Sequence, residues 1–183
     1  MRSVIFDTET TDLLKAEAND ISEQPYIIEI AVIVFEDDGK KFPVVDEYSA
    51  LIKPPIAIPE KITQITKISE DDVKDKGPFI DIYHDLCTLF LGCNRVIGHN
   101  LSFDRSMLAN ELIRIDKLIN FPWPLIHICT VETSTPIKGY RLSLDKLYKL
   151  ATGKEITGWH RAFGDTQHAL ECYKWLRTKK NLP

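Results

Sequence analysis

The 183 residues, 44% hydrophobic and 27% charged, suit one globular domain, residues 1–183, long enough to bury a sizeable core. No apolar run approaches the roughly 18 residues of a membrane helix, and the N-terminus lacks a signal-peptide pattern, so no membrane association and a cytoplasmic location are expected. The formal net charge of −4 argues against a tight grip along long duplexes, which usually takes a basic surface.

Ser3 to Asp7 predicts a first strand, Tyr26 to Phe35 a second and Glu47 to Ile52 a third, closed by Pro54-Pro55. Asp37-Asp38-Gly39-Lys40 is a turn signal that favours an antiparallel second connection. Thr10 to Gln24 has no clear period and reads as an extended loop over a site. Pro59 to Ile68 carries Ile62, Ile65 and Ile68 at three-residue spacing, a short amphipathic helix, and Ser69 to Asp72 looks like a cap with an acidic first turn. A helix over Phe79 to Leu91, a buried strand over Arg95 to Gly98 and a helix over Ser102 to Ile115 follow. Leu125 to Ile128 predicts the fifth strand, and helices are expected at Ser143 to Ala151 and Gly164 to Arg177. Three strands, then strands alternating with helices, imply an α/β fold with a mixed sheet. None of the four cysteines forms a C-x-x-C pair, and Cys87, Cys129 and Cys172 read as buried free thiols.

Three blocks carry chemistry: Asp7-Thr8-Glu9, His99 to Asp104, and His160 to Asp165. Asp7 and Glu9, two apart on a strand, face the same side, and Thr8 faces the other, towards core or helix. Side by side they repel unless a cation lies between them; a solvated acidic strand end is the plain alternative. Asp104 and Asp165 each fall in a first helical turn, where the helix dipole alone is an adequate reason for an acid. His99 and Asn100 stand just past a strand's carboxyl end, where ligands of open α/β sheets bind, and suit a sugar or phosphate. Phe103 reads first as packing, with base stacking in addition. His160, on the loop ahead of the last helix, suits a general base; His84, His127 and His168 read as ordinary helix or strand residues. Four carboxylates and an imidazole suit two hard divalent cations and phosphodiester hydrolysis. Setting those four acids aside leaves the chain formally neutral, which fits a local grip on a strand end.

The blocks "FDTETTDL", "VIGHNLSFD" and "HRAFGD" resemble those of the DEDDh 3′–5′ exonucleases, the DnaQ-like family of the proofreading epsilon subunit of bacterial DNA polymerase III. The likeness extends through "IIEIAVIVFEDDGK", "IPEKITQITKISEDDV" and "RLSLDKLYKLATG". His160 stands five before Asp165 and Arg161 occupies the place of the tyrosine subtype's Tyr, which matches the histidine subtype. The resemblance implies a ribonuclease H-like fold, a mixed five-stranded sheet with helices on both faces, and two Mg²⁺ or Mn²⁺ ions. It implies Asp7 bridging both metals, Glu9 and Asp165 on the metal that carries the attacking water, Asp104 helping to hold the second, and His160 taking the proton. Thr10, Ile65, Thr66, His99, Asn100 and Phe103 match residues around the terminal nucleotide.

The chain departs from the family at Lys67, where many relatives have Gly, and at Cys129, where many have Asp; the Leu13 to Gln24 stretch has no clear counterpart. The implied activity is release of nucleoside 5′-monophosphates from single-stranded or frayed DNA 3′ ends, with DNA favoured over RNA, in proofreading and beside a DNA polymerase. An RNA 3′ exonuclease of the same family and a catalytically silent binding module are the rival readings.

Overall fold

The computed structural model describes residues 1–156 and 161–180. Five strands, β1 (Arg2–Thr10), β2 (Ile27–Glu36), β3 (Val44–Leu51), β4 (Arg95–Gly98) and β5 (Ile126–Cys129), form one sheet in the order β3-β2-β1-β4-β5. β2 pairs antiparallel with β1 and with β3, whereas β4 is parallel to β1 and to β5. The short Asp37 to Pro43 link suits a hairpin, whereas the parallel joins need helical crossovers. The helices are α1 (Glu60–Thr66), α2 (Glu70–Val73), α3 (Tyr83–Phe90), α4 (Leu101–Arg114), α5 (Thr130–Lys138), α6 (Leu144–Thr152) and α7 (Ala162–Lys180).

Alternation along the strands separates two cores. Val4, Phe6, Ile30, Val32 and Val96 pack against Leu86 and Phe90 of α3 and Met107, Leu108 and Leu112 of α4. Ile5, Ile33, Phe35, Ile97 and Ile128 pack on the other face against Ala169, Leu170 and Tyr173 of α7. The sheet is therefore covered on both faces, as expected for a ribonuclease H-like architecture.

Three parts of the fold differ from expectation. β1, expected to carry both Asp7 and Glu9, runs on to Thr10, beyond the apolar stretch Ser3 to Asp7, because β2 pairs with it through Glu9↔Glu29 and Thr10↔Ile27 across a bulge. α5 starts immediately after β5 and holds Pro136 in its interior, a residue that reads as a breaker in sequence. Phe79–Ile82 is a 3₁₀ turn that leads into α3. All four cysteines are free; Cys93, Cys129 and Cys172 are buried and Cys87 is half-buried. Among the described residues no helix is long and apolar enough to cross a membrane.

At the far end of the sheet, Asp37 has no side-chain exposure and accepts from Arg95 Nη1 at 2.7 Å, Tyr173 Oη at 2.6 Å, Arg177 Nε at 3.1 Å and the Gly39 amide at 2.7 Å. Burial opposes ionisation of Asp37, but the bonds from Tyr173, Gly39 and Arg177 outweigh it and hold the carboxyl below its usual range. This network ties α7 to the end of β2. Asp37→Ala is expected to cost about 3–5 kcal/mol, because it leaves Arg95 buried without its counter-charge; urea unfolding monitored by circular dichroism reads the loss.

Candidate active site

β1 presents Asp7 and Glu9 on the face that α7 covers. Thr8 turns to the opposite face, where α4 lies. Asp165, in the first turn of α7, reaches the same side as the β1 pair, and one carboxylate oxygen from each of Asp7, Glu9 and Asp165 lies within 4.8 Å of the other two. Oxygens around a single Mg²⁺ at about 2.1 Å lie about 3–4 Å apart, so small side-chain rotations close this set onto a hard cation. An all-oxygen donor set of this kind suits hard divalent cations over softer metals.

Asp104 takes a different position. It is 3% exposed, in the first turn of α4, and its Oδ1 accepts from the Thr8 amide at 3.0 Å and the Thr8 hydroxyl at 2.7 Å. Asp104 thus lies outside the three-carboxylate group, yet close enough to raise the proton affinity of both Asp7 and Glu9. Its two bonds tie α4 to the β1 residue between the two acids.

Burial dominates the electrostatics. The Asp7 carboxyl is raised well above the ordinary carboxylate range by burial and then by Asp104, Glu9, Asp165 and Glu29. Glu9 is pushed up to about 8 by burial and by Asp165, Glu29 and Asp104, against the opposing Arg161 guanidinium. Asp104 is pushed up to about 7 by burial, partly offset by the Thr8 bonds. Acids that gain protons for lack of a counter-charge are those a divalent cation binds with release of those protons.

A cavity of about 490 Å³ opens beside Glu9, lined by Thr8, Thr10, Leu13, Ile62, Ile65, Thr66 and Phe103 among others. Ile65 is 42% exposed, free to meet a ligand. Thr66 is buried, and its hydroxyl donates to Ile62 O and accepts from the Ile68 amide, so its side chain is occupied by the fold. The Thr10 hydroxyl likewise donates to Asp12 O. Phe103 is half-buried against the α4-side core and also borders the cavity, so packing and ligand contact are compatible. Lys67, just after Thr66, adopts φ 60, a left-handed geometry that costs a residue with a Cβ about 1–2 kcal/mol and suits the glycine expected at this place.

His99 and Asn100 do not line this cavity. His99 Nδ1 lies 2.9 Å from Thr130 Oγ1; burial, then the Arg141 charge, lower its pKa to about 4, so it is neutral at pH 7. Asn100 takes φ 65 to turn the chain from β4 into α4, and its Oδ1 accepts from Arg141 Nη2 at 3.0 Å. His160 lies outside the described residues.

Two residues escaped the sequence reading. Glu29 is 2% exposed within the otherwise apolar run Ile27 to Phe35, and Arg161 binds it with a shortest contact of 2.6 Å. The signal for Glu29 is its isolation among Ile and Val; a buried acid demands a partner.

An exonuclease family model, RNase_T, matches residues 4–173. The chain is 34% identical over 174 residues to DNA polymerase III subunit epsilon of Treponema pallidum (strain Nichols), covering 92% of this chain and 73% of that one. It is 28% identical over 177 residues to the PolC-type DNA polymerase III of Clostridium perfringens (strain 13 / Type A), covering 94% of this chain and 11% of that protein; the chain therefore spans about a tenth of that larger polymerase. Among solved structures, Exonuclease X in complex with 5′ overhanging duplex DNA superposes with a TM-score of 0.69 at 24% identity, covering 99% of this chain and 94% of that one.

The raised acids set a pH signature. A carboxyl whose pKa is higher folded than unfolded contributes stability at low pH and loses it as pH rises through the folded value. Without divalent cations, stability is expected to fall between about pH 4.5 and 8, the ordinary and raised values for Glu9. Mg²⁺ should remove most of that fall. Thermal melts in EDTA and in Mg²⁺ from pH 5 to 9 test it; a melting temperature that climbs with pH in EDTA would contradict the cluster.

Proposed function

The chain belongs to the exonuclease family whose model spans residues 4–173, and from that premise we propose that it is a metal-dependent 3′–5′ exonuclease releasing nucleoside 5′-monophosphates. The observation that carries this reading is the meeting of Asp7, Glu9 and Asp165 within 4.8 Å. A nucleotide-sized cavity alongside adds support. Two Mg²⁺ or Mn²⁺ ions, when bound, would supply a nucleophile at neutral pH and charge stabilisation for the leaving 3′ oxygen.

The chain's own residues divide the remaining tasks. Asp7, Glu9 and Asp165 would hold the cations, with Asp104 beside them bracing β1 through Thr8. His160, next to Arg161 in sequence, is assigned the general base. Ile65 and Phe103 offer apolar contact to the terminal base, and Thr10 and Thr66 shape the wall through backbone and methyl groups. His99, neutral, and Asn100 offer hydrogen bonds to sugar or phosphate without adding charge.

Single-stranded or frayed DNA is the proposed substrate, in proofreading beside a DNA polymerase. Its support is the epsilon-subunit and PolC-type relatives and the duplex DNA in the Exonuclease X structure. RNA is the competing substrate, and the assay separates the two.

The test offers 3′-labelled single-stranded DNA, duplex DNA and RNA with Mg²⁺ and records release of mononucleotides. DNA strands are expected to be digested fastest. Asp7→Ala should abolish digestion while the chain stays folded; unchanged cleavage by that variant would defeat the assignment. His160→Ala should slow turnover about 10²–10⁴-fold and leave Mn²⁺ binding largely intact. Loss of metal affinity on that change would make the imidazole a ligand instead.

A further inference from the structure

Glu29 is a fourth carboxylate on the site's face of the sheet. It pairs directly across from Glu9 in the β1–β2 register, and its charge adds to the strain on both Asp7 and Glu9. It nevertheless stays out of the three-carboxylate group, because both its oxygens are engaged. Arg161 Nε donates to Oε1 and Oε2, each at 3.1 Å, Arg161 Nη2 donates to Oε1 at 2.6 Å, and the Ala162 amide donates to Oε2 at 2.9 Å.

The position of this pair in the chain gives it a consequence. Arg161 and Ala162 form the entry to α7, and the Arg161 carbonyl accepts from the Asp165 amide at 3.1 Å. The buried acid on β2 therefore grips the turn that carries Asp165. Arg161 is also the covalent neighbour of His160, so the same grip fixes the chain next to the proposed base. A planar guanidinium held at two oxygens restricts orientation as well as distance, which an ammonium cannot do.

We propose that the Glu29–Arg161 pair is a positioning clamp: it seats the first turn of α7 on the sheet so that Asp165 meets Asp7 and Glu9. This rests on the exonuclease reading above. Neither residue is assigned contact with the substrate. The clamp acts through Asp165 and the adjoining segment.

The experiment compares Glu29→Gln, Arg161→Met, the double variant and Arg161→Ala with the wild-type chain. It measures kcat and KM on 3′-labelled single-stranded DNA, calorimetric affinity for Mn²⁺ alone, and the melting temperature. A small misplacement of reacting groups costs up to about 10²-fold in rate, so each single change is expected to lower kcat by about 10–10²-fold with KM within about twofold, and to weaken Mn²⁺ binding. The double variant should lose no more than the worse single one, and millimolar guanidinium should restore part of the Arg161→Ala rate. Full kcat in either single variant, losses that simply add in the double, or losses that track the unfolded fraction would overturn the clamp. A wild-type chain that digests no strand would sink the exonuclease reading instead, and the Mn²⁺ titration would still decide the clamp.

Discussion

Crowding of like charge at the carboxyl end of β1 is the constraint to which the surrounding structure responds. Asp7 and Glu9 share a face because a strand alternates, and Asp165 is brought against them by α7. Burial and mutual repulsion raise the proton affinity of Asp7 and Glu9, so the arrangement draws no stability from its own charges. It has to be imposed by a frame. The frame is a strand paired with antiparallel β2 through Asp7↔Ala31 and Glu9↔Glu29 and anchored by parallel β4 up to Ile5, so the backbone at the acids is held by its ladder to β2. Asp104 adds a brace from behind by accepting both the amide and the hydroxyl of Thr8.

The helix that delivers Asp165 is held at two places by acids at the two ends of β2. Glu29 near the start of the strand binds Arg161 and the Ala162 amide; Asp37, just past its end, binds Tyr173 and Arg177. Eight residues of strand separate the acids by about 26 Å, and the helical residues they bind are about 17–23 Å apart along α7. The spacings are comparable, which suits a long helix lying across the sheet on two polar fasteners with an apolar strip between, Ala169 and Leu170 against Ile5 and Ile33. Buried ion pairs add little net stability compared with apolar packing, but losing one partner is costly. Their effect here is to set where the helix lies, and the placement of Asp165 depends on that.

The sequence made the sheet and the three chemical blocks legible, for local reasons. A period of two puts Asp7 and Glu9 together, a short apolar strand ahead of a helix places Asp104 in a first turn, and the start of the last helix near Gly164 does the same for Asp165. The unread parts depend on contacts distant in sequence. Arg161 and Glu29 are 132 residues apart, and no local pattern links them, although a lone Glu in "IIEIAVIVF" marks one half of the pair. The segment before β2 has no period because side chains far away hold it. Arg114 Nη2 donates to the carbonyls of Ile21, Gln24 and Pro25 and its guanidinium stacks 3.8 Å over the Tyr26 ring. α5 was hidden by Pro136. Asp104 stands in the first helical turn expected of it, but its bonds to Thr8 join residues 96 apart, which no local pattern predicts.

The distribution of polarity around the cluster reconciles an acidic chain with the polyanionic substrate proposed for it. On one side lies the cavity with Leu13, Ile62, Ile65 and Phe103, surfaces that suit the face of a base. At the end of β4 stand a neutral His99 and Asn100, the latter bonded to Arg141, groups that suit sugar and phosphate oxygens. Glu9 of the carboxylate cluster borders the cavity, and in the proposed reading these acids would repel phosphate until cations cover them. Binding in the proposed reading would then draw on stacking and on bound metal more than on a broad basic surface, and the cations that permit approach would be those that serve the chemistry. In that reading the site would engage the last nucleotides of a strand and would have little means of holding a long duplex, in keeping with a formal charge of −4.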